Sequence, residues 1–500
     1  MSITSSAAAN RPGFLSHIRL ARPGALPFSA AILAFGFLLR LATLAVPHSY
    51  FPDEIFQYLE AAHRLAFGPA VVPWEYREGI RSWLVPLMLA GAMRAGNAFG
   101  NPGAYLLAAK LLLLALSLLA VIAAGAIGRR ISAMHGLFAM LAVASGAEFV
   151  YFSTVALTEP LGAVLFIAAA ALLYRSTPSS VAQTAGAGAL LVLTCVVRFQ
   201  YGPAVVAFAI AILIRQPRQI LALPAGALPI LMFSGIIDLA DGGAPFGWLF
   251  ANVHQNVGLG RSHAWVDGPL YYPQTMEMLW GVWLAPLLLL SMIGARRFPA
   301  LMVAALTNVA VHSAIAHKEY RYILLSTMIF TILAGIGTAD AIGWARRRSK
   351  PGAWTMLPAI AVGGWLAMSA SIAAAGPMRY WWTERQPQLA AFALVRDTPD
   401  LCGVALYGID WTFSGGYTYL HRPIPLFSYS RLEPGQLAQE RAQFDAIVLA
   451  QGLAVPAGYS ARACFAGDEA SGVCVVTRPG KCLPGTSTAE INRQLIRAGR

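Results

Sequence analysis

Apolar stretches long enough to cross a bilayer recur along this 500-residue chain, and they constrain it more than any motif does. A helix of about 20 apolar residues spans the hydrocarbon core. In that medium every backbone N–H and C=O must be bonded internally, which leaves only helices and closed barrels. Apolar runs lie near 27–46, 104–128, 131–149, 160–175, 183–197, 200–215, 219–238, 273–294, 298–316, 322–343 and 353–375. Charged residues make up only 12% of the chain, about half the share of a soluble domain. The expectation is an α-helical polytopic membrane protein, a bundle of about eleven transmembrane helices.

The net charge of +13 does not point to nucleic acid, because the basic residues sit in short clusters between apolar runs. That distribution is the Lys/Arg excess of cytoplasmic loops. The first 26 residues carry Arg11, Arg19 and Arg22 and no acid, and read as a cytoplasmic tail before an uncleaved first helix. With eleven spans, Arg129–Arg130, Arg175, Arg215 with Arg218, Arg296–Arg297, and Arg346–Arg348 with Lys350 all fall on the cytoplasmic side. A first outer loop (47–103), a large outer loop (239–272) and everything after about 376 fall on the other. The apolar segment 81–98 carries Arg81, Pro86 and Arg94. It is expected to lie against the bundle without crossing, since a twelfth span would break the charge pattern downstream.

Residues 376–500 change character. "CGVALYG", "FDAIVLA" and "GVCVVT" are short β-like runs separated by Gly, Pro and Asp, and predict a small soluble α/β domain outside the membrane. Cys402, Cys464, Cys474 and Cys482 lie here, an even count that predicts disulfides with three connectivities open. Cys195 lies within a span and reads as a small packing residue. The sequence holds no P-loop, no dinucleotide fingerprint and no metal-ligand spacing, so no cofactor or metal is expected. "GAGAL" in the run 183–197 reads as a helix-packing feature.

Polar residues gather at the outer ends of the apolar runs. In "YFPDEIFQYLEAAHRLAFG", Pro52 pre-sets a helix start, with Asp53 and Glu54 in its first turn. Asp53, Gln57, Glu60 and Arg64 then share one face of an amphipathic helix suited to the membrane surface, with Glu60 and Arg64 as an i,i+4 pair. "VVPWEYREGIRSW" adds Trp74, Tyr76, Trp83 and Arg81, either an interfacial aromatic belt or a platform for a sugar or lipid headgroup. Glu159 stands before Pro160, Arg198 precedes Gln200, and "AHKEYRYIL" places His317, Lys318, Glu319 and Arg321 on the same side. The large outer loop adds Trp248, Trp265, Tyr271 and Tyr272 for stacking or anchoring.

This combination suits a water-accessible cavity where a lipid-phosphate substrate meets a hydroxyl acceptor. A carboxylate takes the hydroxyl proton as general base, and cations stabilise the phosphate as its charge develops. Asp53 is the expected base, with Glu54 as competitor and Glu159 orienting the acceptor. Arg81, Arg198, His317, Lys318 and Arg321, with Gln57 and Trp74, are the expected substrate and phosphate contacts.

"FPDEIFQYLEAAHRLAFG", "PWEYREGIRSWLVP", "AHKEYRYIL" and "FGWLFANVHQNV" together resemble glycosyltransferase family 22 of the GT-C superfamily. The matches run over roughly residues 50–325. The resemblance implies a GT-C-like bundle, with 27–375 as the catalytic domain, and a polyprenyl-phosphate-mannose donor. It also implies a glycan or glycolipid acceptor, inversion at the sugar carbon and an active site away from the cytoplasm. By motif, the family's loop acid falls on Asp53, and its basic motif on His317, Lys318, Glu319 and Arg321. The sequence departs from the family at Phe51, where a His is usual, and at Tyr320, where an acid is usual. The composition suits a bacterial inner-membrane enzyme facing the periplasm. A transporter or flippase of lipid-linked sugars would place its polar residues at mid-membrane, often in two similar halves. A periplasmic glycan polymerase or ligase need not use the loop after the first helix.

Overall fold

In the computed structural model, residues 26–174, 180–217, 220–259, 266–348, 355–430, 434–467 and 471–499 are described. The expected cytoplasmic residues Arg11, Arg19, Arg22, Arg175, Arg218 and Lys350, and the aromatic Trp265, lie outside them.

Every one of the apolar runs forms a helix. Among the described residues, five helices are long and apolar enough to cross a membrane: Ala104–Arg129, Ala222–Ala240, Tyr271–Ala295, Tyr320–Arg348 and Leu357–Ala374. The others, Pro27–Ala42, Ala133–Ser145, Thr158–Leu173, Val181–Val197, Phe199–Arg215 and Pro299–Ala314, have 10–17 residues. At 1.5 Å per residue, 16 residues give about 24 Å, short of a core about 30 Å thick. Length alone therefore qualifies five spans. Segment 81–98 forms a shorter helix, Leu84–Asn97, about 21 Å long, with Gly96 pressed on the Ala104 carbonyl.

Close approach is bought with small residues. A Cβ on Gly188, in the "GAGAL" stretch, would strike the Leu223 carbonyl, and one on Gly226 would strike the Ala185 carbonyl. These two glycines let the Val181–Val197 and Ala222–Ala240 helices pack backbone to backbone, as small residues do in membranes. At one end of the bundle Arg297 and His135 both meet Asp340, at 2.8 and 3.2 Å. The other end carries the long loops and the C-terminal segment.

The C-terminal segment forms a five-stranded sheet: β1 (Val404–Tyr407), β2 (Leu426–Tyr429), β3 (Ala446–Ala450), β4 (Ser460–Phe465) and β5 (Val473–Thr477), in the order β2-β1-β3-β5-β4. β1 runs parallel to β2 and β3, and β5 is antiparallel to β3 and β4. The three quoted β-like runs became β1, β3 and β5. Cys464 bonds Cys474 across the β4–β5 ladder, where the two are register partners. Cys402 bonds Cys482 across a separation of 80 residues.

The first loop packs against the C-terminal segment. Glu54–Leu59 is a π-helical turn with all six residues buried, followed by the helix Glu60–Phe67. Glu60 does not pair with Arg64. Its carboxylate accepts from Thr418 Oγ1 at 2.7 Å and from the backbone N–H groups of Thr418 and Val71. Asn492 clasps the same loop, donating to Ala70 O at 3.0 Å and accepting from Val72 N at 2.9 Å. The C-terminal segment thus covers the polar face of this helix at Glu60, because pairing Glu60 with buried donors outweighs one exposed ion pair.

Candidate active site

Five separate stretches of chain meet at the loop end of the bundle. Asp53 comes from the first loop, Glu159 from the start of the Thr158–Leu173 helix and Arg198 from the end of the Val181–Val197 helix. His317, Glu319 and Arg321 come from the bend before Leu324–Arg348, and Arg81 from the turn before Leu84–Asn97. His317 is itself pinned by an isolated antiparallel bridge to Val266.

Arg321 is the hub. It is buried, and its guanidinium meets Asp53, Glu319 at 2.8 Å and Glu159 at 3.4 Å. Glu159 also binds Arg198 at 3.2 Å. Glu319 accepts from Tyr322 at 2.9 Å and faces His317 at 3.4 Å. Burial alone would raise the Glu319 pKa, but Arg321, with the His317 and Tyr322 hydrogen bonds, overrides it and holds the carboxyl far below the usual range. Glu319 is thus a fixed anion and a poor proton acceptor. Asp53 keeps 27% of its side chain exposed and can reach a ligand.

Glu54, the competing base, is in the wrong place. Its side chain is 1% exposed and pairs with Lys110 at 3.3 Å inside the bundle. Asp53 meets Arg321 at the hub, while its neighbour Glu54 points into the core. Lys318 also departs from its expected role. Its ammonium caps the end of the Pro299–Ala314 helix, donating to Ser313 O at 2.9 Å, His312 O at 3.4 Å and Ile315 O. A cation at a helix C-terminus satisfies orphan carbonyls and the helix dipole, so this one is not turned toward Arg321.

Arg81 and Arg198 share a cleft with Tyr58, Thr158, Trp248 and Asn252. Among the described residues, Arg81 Nε and Arg198 Nε are buried without a hydrogen-bond partner. Burial works against the Arg81 charge, but Tyr58, Glu75 and Asp53 beside it more than compensate. Two cationic side chains thus bring unused donors into one cleft. The cleft holds about 30 Å³, room for a water or two. Gln57 is not in it. It donates to Glu75 at 2.8 Å, and burial pushes the Glu75 carboxyl up. Trp74 opens the short helix Trp74–Arg77.

Several residues escaped sequence reasoning. Tyr58 donates to or accepts from Thr158 at 3.0 Å, bracing the cleft. Arg385 donates to Ser49 O at 2.6 Å and Tyr50 O at 2.5 Å, fixing the backbone just before Asp53. Tyr322 stood inside a quoted motif, but nothing local singles out Arg385, which is 336 positions from Ser49.

Comparison with known proteins adds to this geometry. A model of the Alg9-like mannosyltransferase family matches residues 31–377. GPI alpha-1,2-mannosyltransferase 3 of Homo sapiens is 27% identical over 340 residues, which cover 63% of this chain and 58% of the relative. GPI mannosyltransferase 3 of Drosophila melanogaster is 47% identical over 64 residues, 12% of this chain and 11% of the relative. The chain thus matches less than two thirds of either relative's length. A crystal structure of ArnT from Cupriavidus metallidurans bound to undecaprenyl phosphate superimposes with a TM-score of 0.58, at 13% identity over 93% of this chain and all of that one. That likeness shows a shared fold.

Proposed function

The chain belongs to the Alg9-like mannosyltransferase family, and from that premise we propose that it transfers mannose from a polyprenyl-phosphate sugar to a hydroxyl acceptor. Asp53 removes the acceptor proton as the hydroxyl attacks the sugar carbon, and the lipid phosphate leaves from the opposite face, so the carbon inverts. Arg81 and Arg198 hold the phosphate as its charge grows. Glu159 and Glu319 hold Arg321, which fixes the Asp53 carboxylate, and His317 supports Glu319. The polar groups face the side away from the cytoplasm, the periplasm in a bacterial cell, with eleven helices crossing and residues 376–500 as a domain on that side.

The observation that carries this reading is the Arg321 hub, which joins Asp53, Glu159 and Glu319 near a cleft where Arg81 and Arg198 each keep an unused donor. The cleft is too small for a sugar, so donor entry requires it to widen. These groups sit at one end of the bundle, where a transporter would carry them to its middle.

The test is transfer by purified protein from radiolabelled polyprenyl-phosphate-mannose to glycan and glycolipid acceptors. The Asp53→Asn variant should lose roughly 10²- to 10⁴-fold in turnover, the usual worth of a general base, while keeping the wild-type melting profile. Turnover near wild type in that variant rejects the assignment of the base.

A further inference from the structure

The sheet of the C-terminal segment has two apolar faces, and only one is turned to the bundle. Val404, Leu406, Ala446 and Val448 join the Gln386–Asp397 helix in a core continuous with that of the bundle. The intervening residues Ala405, Tyr407, Ile447 and Leu449 form a separate cluster with Leu437, Phe444 and Tyr459. Successive residues of a strand point to opposite faces, so this second cluster lies on the face turned away from the bundle.

A cavity of about 300 Å³ opens in that outer cluster. Tyr407 and Ile447 line it from the sheet, Leu437 from the Pro434–Glu440 helix, and residues 453–457 from the loop that leaves β3. The loop is held in shape at both ends. Gly452 and Gly458 take φ values of 88° and 87°, which glycine adopts at little cost. Leu453 N donates to Ala450 O at 3.2 Å, and Tyr459 N to Pro456 O at 3.1 Å. Val455 leaves apolar surface open on the wall, at 45% exposure. The cavity is of the size of the smaller ligand sites. At the ~30 Å³ that a water takes in its liquid, it has room for roughly ten non-hydrogen atoms.

The polar groups of the wall specify what such a molecule carries. The Tyr459 hydroxyl is already engaged, donating to Phe444 O at 2.9 Å and accepting from Arg478 Nε at 3.3 Å. The Tyr407 hydroxyl makes no hydrogen bond among the described residues and is open to solvent. Arg441 also lines the cavity and is exposed. Among the described residues its guanidinium has neither a hydrogen bond nor an ion pair. Burial raises the Tyr459 pKa, and Arg478 and then Arg441 oppose it, so the Arg441 charge is felt at this wall. Glu440, next in the chain, is turned elsewhere, to Tyr429 at 2.6 Å and Gln436 at 3.2 Å. Among the described residues no acid lines the cavity. An uncompensated guanidinium and a phenol beside apolar walls match a carboxylate on an apolar body. An amine would meet a like charge here, and a phosphate dianion would bring one charge more than the wall neutralises.

We propose that this cavity binds a small monocarboxylate with an apolar body, on the outward face of the C-terminal sheet. The site stands apart from the Arg321 hub and does not depend on the transferase reading.

The test uses full-length protein in nanodiscs, with empty nanodiscs to subtract partition into lipid. The probes share one body: phenylpropionate, phenylpropanol, phenylpropylamine and phenylpropyl phosphate. In calorimetric titration phenylpropionate should bind roughly tenfold or more tighter than the alcohol, the worth of one charged hydrogen bond. It should slow hydrogen exchange at residues 437–441 and 453–459, which form the wall, and leave residues 317–321 unchanged. Arg441→Gln should weaken binding of the acid by the same factor and leave binding of the alcohol as it is, a difference that loss of structure does not produce. Tyr407→Phe should weaken the acid by roughly two- to tenfold, the worth of one neutral hydrogen bond. Ala438→Trp, at an exposed position on the wall, should abolish binding of both. Equal affinity for acid and alcohol, or tighter binding of the amine or the phosphate, overturns the proposal. So does acid binding that survives Arg441→Gln or Ala438→Trp, and so does the absence of acid binding. Binding needs no turnover, so Asp53→Asn should bind phenylpropionate as the wild type does, whether or not either protein transfers mannose.

Discussion

The seam between the first loop and the C-terminal segment contains two buried ionisable groups whose pH responses oppose each other. Burial pushes the Glu60 carboxyl up from 4.5 to about 7, despite its hydrogen bonds from Thr418 and Val71. Burial pushes the His63 imidazole down from 6.5 to about 4, against the pull of the Pro69 carbonyl. His63 meets Pro69 O at 2.7 Å through Nδ1 and His421 at 2.9 Å through Nε2. Glu60 keeps its proton in the docked state up to about pH 7 and loses it near 4.5 when undocked. Its contribution therefore falls as pH rises through that window. His63 stays neutral when docked and gains a proton near 6.5 when undocked, so its contribution falls as pH drops from 6.5 toward 4. At 1.36 kcal/mol per pH unit, each arm amounts to about 3 kcal/mol.

Between pH 4.5 and 6.5 the two arms nearly cancel, so docking of the wild-type protein should change little with pH. His63→Phe should unmask the Glu60 arm, with docking weakening by about 3 kcal/mol from pH 4.5 to 7. Glu60→Gln should unmask the His63 arm, with docking strengthening by about the same amount from pH 4 to 6.5. Burial also lowers the His421 pKa, which adds to this second arm. Hydrogen exchange at the Thr418 and Val71 amides, corrected for intrinsic rate, reads the docking free energy directly. Slopes of the same sign in both variants, or a steep slope in the wild type, would refute the reasoning.

Other outcomes follow from the same coordinates. Replacing Cys402 and Cys482 by Ser should destabilise the C-terminal segment more than replacing Cys464 and Cys474. The loops closed span 80 and 10 residues, worth about 4.5 and 2.7 kcal/mol by chain entropy, and urea titration of the two double variants compares them. Arg81→Ala and Arg198→Ala should each raise the KM for the lipid-phosphate donor about tenfold or more, since each removes a charged hydrogen-bonding group. Arg385→Ala should lower kcat while sparing donor KM, because it orphans the Ser49 and Tyr50 carbonyls beside Asp53. Arg385→Lys should recover part of that loss by donating to one of them.

Much of the architecture was legible because it rests on periodicity and solvent. Apolar runs of near-spanning length, without the alternation of a barrel strand, favour helix, and every run is helical. The quoted β-like runs around Val404, Ala446 and Val473 are short, apolar stretches bounded by Gly, Pro and Asp, and they pair as strands. The motif stretches around Asp53 and His317 carried the residues that meet at Arg321, since clustered charge at a helix end needs a partner.

What the chain order left open was decided by three-dimensional proximity. Whether Asp53 or its neighbour Glu54 stands at the hub depends on the partners that packing supplies: Arg321 takes the first acid, and Lys110 across the bundle takes the second. Lys318 went to the carbonyls of its own helix end, a local bond that outcompetes a distant one. Glu60 found Thr418, the thiols chose their partners, and Arg385 reached Ser49, all across separations for which sequence spacing has no rule. Local pattern sets which segments bury their surface, whereas the identity of a buried polar group's partner is set by which remote segment the packed chain brings beside it.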